Sequence, residues 1–155
     1  MSDSAPIIRG VLVQVADTRL LLPNATIAEV LSYARPEPVE GAPDWLLGRI
    51  RWRGWRVPLV AFARFAGDAH EEAGLGSKVV VLKALGGDPR QPYFAVLTQG
   101  FPRLVTVTQQ ALRALPAEAG ELPPGVLAQV MLNEDAAVVP DLPRLEREIR
   151  AVLAA

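Results

Sequence analysis

The chain has 155 residues, 50% of them hydrophobic and 21% charged, with a formal net charge of −1. That is enough apolar chain for a substantial core, and the whole-molecule charge favours neither nucleic acid nor an anionic membrane surface. The absence of cysteine excludes disulfides, thiol catalysis and thiolate metal sites.

Residues 1–6 lack the basic segment and apolar core of a secretory signal, and are expected to be a flexible N-terminus. No apolar run approaches the roughly 20 residues of a membrane helix, so a soluble cytoplasmic protein without membrane insertion is expected. Residues 7–15 are almost continuously apolar, which predicts a strand buried on both faces. A turn at Ala16-Asp17-Thr18 leads into a second strand over 19–23. Asn24 is placed to cap a helical turn, with Ile27, Val30 and Leu31 at helical spacing, while 27–31 also alternates as a strand. A short helical turn followed by a strand is the reading adopted. Prolines at 36, 38 and 43 make 34–43 a loop, and Asp44 is placed to cap a helical turn over 45–47.

The stretch 47–60 reads as a β-hairpin. Arg49, Arg51 and Arg53 alternate with Ile50 and Trp52, the period of a half-buried strand. Arg53-Gly54 is the turn, and the return strand runs over 55–60 with Pro58 marking an edge or a strand end. A short helix over 61–65 ends at Gly67, and a polar loop follows to Gly76. Strands are predicted over 77–85, 93–98 and 103–108, and one or two helical turns over 109–115, cut by Pro116. After a loop over 117–125, a last hairpin pairs 126–132 with 136–140. The C-terminal segment is a helix capped by Asp141, with Leu142, Leu145, Ile149 and Val152 on one stripe. Glu146 is placed on the watery side, in an i,i+4 pair with Arg150.

Catalysis is not expected, nor any cofactor. His70, the only histidine, stands near Asp68, Glu71 and Glu72, a set that could in principle share a metal or a proton but reads better as a solvated loop. None of the four serines lies in a nucleophile elbow, and the glycine pairs near 74–76 and 86–87 lack the setting of a phosphate loop. The hairpin is the informative feature. Arg49, Arg51, Arg53 and Arg56 with Trp52 and Trp55 could bind single-stranded RNA or DNA on a small barrel. The negative net charge argues against that, and Trp and Arg are also the residues most enriched at protein-interface hot spots. Protein recognition through Arg49, Arg51, Trp55 and Arg56 ranks first, a solvated face second and nucleic acid last.

Gly48, Arg53-Gly54 and Val57-Pro58-Leu59-Val60 match the G-x-x-x-x-R-G-x-x-x-P core, followed by two apolar residues, of the CheW family. The chain resembles that family over nearly its whole length, including the segment Ile27-Ala28-Glu29-Val30 and the finish at Val139, Asp141, Leu142 and Leu145. It departs from the pattern at Ala61, where an acidic residue is usual, near Gln99, and in a last hairpin without glycines at Ala128, Gln129 or Asn133. The resemblance implies a mainly β fold: two small five-stranded SH3-like barrels on a shared core, with short helices and a C-terminal helix, as a single domain over 7–155. It implies that 93–98 and 103–108 form a hairpin. It also implies a non-catalytic adaptor, monomeric in isolation, that couples the cytoplasmic tips of chemoreceptors to the regulatory domain of a CheA-type histidine kinase at membrane receptor arrays. Ile27, Glu29, Gly48 and Arg53 are the receptor-side residues it implies. The departures suggest an accessory member, such as those of type IV pilus chemosensory systems that drive twitching motility.

Overall fold

The computed structural model describes residues 7–67, 71–115 and 122–154. The expected flexible start, His70 and Pro116 lie outside the described residues. Strands β1 (Ile8–Val15) and β2 (Thr18–Pro23) are joined by a turn in which Ala16 has φ +47°. A 3-10 turn (Asn24–Thr26) then feeds β3 (Ile27–Ser32), the order expected. Asn24 does not cap it; Thr26 Oγ1 instead donates to the Pro23 carbonyl at 2.7 Å.

Strands β4 (Leu46–Trp52) and β5 (Trp55–Val60) form the predicted hairpin. The helical turn expected over 45–47 is not formed. A turn closed by the Leu46 N–H on the Pro43 carbonyl delivers Leu46 straight into β4 opposite Val60, where it is buried. Burial of that side chain outweighs what one helical turn could contribute. Helix α1 (Phe62–Phe65) follows, then β6 (Lys78–Lys83), β7 (Tyr93–Thr98), β8 (Arg103–Val107), β9 (Leu112–Leu115), β10 (Val126–Leu132), β11 (Asp135–Pro140) and helix α2 (Leu142–Ala154).

The strands make two sheets, one in the order β8-β1-β2-β11-β10-β9 and the other β3-β6-β7-β5-β4. The chain leaves the first sheet after β2, builds the second from β3 to β7, and returns through residues 99–102. Strands β7 and β8 are therefore not a hairpin. Strand β7 already has β6 on one side and β5 on the other, so β8 has no edge to join there and pairs with β1 instead. The crossing is pinned by the Gln99 N–H on the Gln14 carbonyl at 2.8 Å. The helical reading of 109–115 also fails in part. One turn forms, with the Leu112 N–H on the Thr108 carbonyl, and the chain then runs as β9 along the open edge of β10. Pro58 is internal to its sheet, but β5 pairs with β7 only at Leu59 and Val60, immediately after the residue without an N–H.

Two of three apolar clusters explain why β1 reads as apolar throughout. Leu12 and Leu21 face a cluster with Val130 and Leu132 inside the first sheet, while Val11, Val13, Leu20 and Leu22 face a layer shared by both sheets. Val80, Leu82 and Phe94 reach that layer from the second sheet, and Leu142, Leu145 and Ile149 cover it from α2. The second sheet wraps its own cluster of Trp52, Val57, Leu59, Val81 and Leu97.

Asp141 caps α2 as expected, accepting the Arg144 N–H at 3.2 Å. Glu146 does not face water. It is buried, and its two oxygens accept the N–H groups of Leu85 (3.0 Å) and Gly86 (2.8 Å), so the carboxylate holds the β6–β7 loop instead of Arg150. Glu146→Gln keeps the size but turns one acceptor into a donor aimed at an N–H. We expect it to lower stability by about 1–2 kcal/mol in urea unfolding, with faster amide exchange at Leu85 and Gly86; unchanged exchange would refute the latch.

A hairpin clasped at both ends

The Arg53-Gly54 turn has φ +48° and +80°, the pair of positive values that two-residue hairpin turns take to match strand twist. Arginine is not a residue that favours this backbone region. Its side chain offsets the cost. Arg53 Nη2 donates to Glu29 Oε1 at 3.0 Å, and the guanidinium lies 5.0 Å from the Trp52 ring centre. Trp52 Nε1 donates to the same oxygen at 3.1 Å. Glu29 lies on β3 and Trp52 on β4, the two outermost strands of the second sheet, so this carboxylate joins the sheet's edges and closes it on itself. Trp52 packs edge-on against Tyr93 at 4.8 Å; Trp55 meets the same ring at 6.2 Å and stays 40% exposed.

The outer face of the hairpin carries Arg49, Arg51 and Arg56. Arg51 and Arg56 are direct partners in the register, and Glu37 bridges them, with Oε1 on Arg51 Nε (3.2 Å) and Oε2 on Arg56 Nη2 (3.1 Å). Glu37 belongs to the proline-bearing segment that crosses β4 as a strap. Its N–H donates to the Arg49 carbonyl and its carbonyl accepts the Arg49 N–H, both at 2.8 Å. Gly48 makes that approach feasible. It has φ +144°, sits at a register shift in β4, and a Cβ there would overlap the Glu37 carbonyl.

The base of the hairpin is fastened to α1. The Ala61 N–H donates to the Trp45 carbonyl at 2.8 Å, and Trp45 packs edge-on against Phe65 at 5.0 Å. Ala61, the residue before α1, has no side chain to cap it. Glu71 Oε1 accepts the Ala63 N–H at 2.9 Å instead, and Arg64 returns two bonds, from Nε to the Glu71 carbonyl (2.7 Å) and from Nη1 to the Asp44 carbonyl (3.1 Å). Glu71 is 1% exposed, which corrects the reading of this segment as merely solvated.

Of the four residues that the resemblance implies for the receptor side, the fold brings Glu29 and Arg53 into contact. Ile27 lies on the same strand, half-buried against the shared layer. Gly48 stands at the far end of β4, beneath the strap. Sequence reasoning did not single out Glu37 or Arg64, placed Glu71 in a solvated loop, and gave no sign of the Trp52 bond to Glu29. Among the described residues no group of His, Asp and Glu is placed to hold a metal ion, and no helix is long and apolar enough to cross a membrane. What the site offers is guanidinium and indole groups on a rigid hairpin, a set suited to recognition.

The profile of a family described as "CheW-like domain" matches residues 9–150. No curated protein matches the chain. Among solved structures, the fold matches the crystal structure of scaffolding protein TtCheW from Thermoanaerobacter tengcongensis with a TM-score of 0.73 at 13% identity, covering 88% of this chain and 90% of that one.

Proposed function

The chain belongs to the CheW-like domain family, and from that membership we propose that it is a non-catalytic adaptor coupling chemoreceptors to a CheA-type histidine kinase. It acts as one unit over 7–155, monomeric alone and recruited from the cytoplasm to receptor arrays. Holding kinase and receptor on one small scaffold raises their effective concentration toward each other. The departures at Ala61, Gln99 and the last hairpin favour an accessory member, of the kind that serves type IV pilus systems.

The observation that carries this reading is the preformed Glu29–Trp52–Arg53 unit beside exposed Trp55. Arginine is held there in an unfavoured backbone region by Glu29 and Trp52, and 71% of its side chain is still exposed and open to a partner. Glu29 and Arg53 form the receptor-side tip, Ile27 adds apolar contact, and Gly48 serves through the strap. Arg51, Arg53 and Arg56 are paired with Glu29 and Glu37 and the chain's net charge is −1, so nucleic acid is not an expected partner.

Arg53→Ala tests it. Calorimetric titration with a receptor-tip fragment and with the kinase regulatory domain is expected to show the receptor affinity falling about tenfold, more than most interface residues cost when truncated. Stability is expected to change by less than about 1 kcal/mol, since the ion pair is exposed. Undiminished receptor affinity in the folded variant would remove the tip from the interface, and tight binding of single-stranded RNA by the native protein would favour the nucleic-acid reading.

A further inference from the structure

We propose that the outer face of the β4–β5 hairpin is a docking site for a carboxylate-bearing segment of a partner protein, and that Glu37 occupies it in the free protein as an internal stand-in. The proposal rests on the adaptor reading only for the natural partner's identity.

The register sets Arg51 directly opposite Arg56, with Arg49 on the same face. Like charges facing each other across a ladder destabilise a sheet, so this pair calls for a carboxylate between its guanidiniums. Glu37 answers the pair with one oxygen to each arginine, at 3.2 and 3.1 Å. A partner's Asp or Glu would adopt the same bridge, because guanidinium donors match a carboxylate's two oxygens. The contact is open to exchange: the side chains of Glu37, Arg51 and Arg56 are 51%, 78% and 58% exposed. Exposed pairs of this kind hold weakly.

The strap does not depend on that carboxylate. Two backbone hydrogen bonds between Glu37 and Arg49, both 2.8 Å, and the buried Pro36 beside Gly48 hold it in place. Glu37 can therefore release its arginines while the strap stays seated. The face is also built for protein and not for a nucleic-acid backbone. It is a short patch of three arginines with an acid among them on a chain of net charge −1, with no basic stripe to track successive phosphates.

The test uses the whole protein and a synthetic helical peptide with glutamates at i and i+4. A peptide with glutamine at those positions and an oligothymidylate of equal charge are the controls. NMR signals of the Arg51 and Arg56 Nε–H groups report site occupancy at low salt. Glu37→Ala and Glu37→Gln are expected to bind the acidic peptide about two- to fivefold more tightly than the native protein, the fold-change an exposed ion pair carries. Arg51→Ala and Arg56→Ala are expected to weaken it, and added salt to weaken all of them. The Arg49 amide should keep its exchange protection in both Glu37 variants. Unchanged or weaker peptide binding in those variants, equal binding of the glutamine peptide, or tighter binding of the oligothymidylate overturns the proposal. So does loss of Arg49 protection, which would make Glu37 a pin for the strap. Because the probe is synthetic, a failure to bind receptor or kinase leaves this test intact.

Discussion

Gly48→Ala is expected to destabilise the protein by about 2–4 kcal/mol in urea unfolding, the range for a strained or clashing backbone position. Two costs add at this site. The backbone sits at φ +144°, a region that residues with a side chain rarely adopt, and the new Cβ would overlap the Glu37 carbonyl. The neighbour that would have to yield is backbone, held by two hydrogen bonds to Arg49. If the strap lifts instead, Glu37 leaves Arg51 and Arg56 and the end of β4 frays, so amide exchange at Glu37 and Arg49 should quicken with the stability loss. The resemblance implies Gly48 as a receptor-side residue. The approach seen here is made by the chain's own strap, so weakened partner binding in this variant would follow from a disturbed hairpin. A stability change under about 0.5 kcal/mol, with Arg49 still protected, would show that the strap gives way easily and would return Gly48 to the direct interface.

The pattern of local residues specified elements well and neighbours poorly. Continuous apolarity in 7–15 signalled a strand buried on both faces, and the structure divides it between Leu12 on one side and Val11 and Val13 on the other. The alternation of Arg49, Ile50, Arg51 and Trp52 located the hairpin. Period two says that a strand exists, but not which edge is free to receive it. Strand β8 could be read and still be assigned to the wrong partner, because only the placement of β5 and β6 shows that β7 has no vacant side. Glu146 failed for the same reason. A helical wheel sends it to water, and only the folded β6–β7 loop brings two N–H groups to meet it. At the candidate site Glu29 and Arg53 were named, yet their contact spans 24 residues and depends on the sheet closing. No spacing rule reaches that far.

Glu71→Ala is expected to cost about 2–3 kcal/mol, because a buried acceptor is lost and helix N–H groups are left without it. The effect should reach beyond α1. Arg64 bonds both the Glu71 carbonyl and the Asp44 carbonyl, so a loosened loop also loosens the turn that leads into β4. Ala61 stands where the family usually carries an acid, and it is the residue before α1, the position from which an Asp could accept the Ala63 and Arg64 N–H groups. Glu71 thus does from ten residues downstream what a cap at 61 would do locally. The two carboxylates should then be alternatives, which a mutant cycle can read by urea unfolding. Ala61→Asp alone is expected to destabilise, since a second carboxylate would enter a fully buried position beside Glu71. In the Glu71→Ala background the same substitution is expected to restore roughly 1 kcal/mol, the usual worth of a cap. A change of sign between backgrounds means that both acids serve the same N–H groups. Additive effects would mean that they do not, and the loss of the acid at 61 would then stand uncompensated.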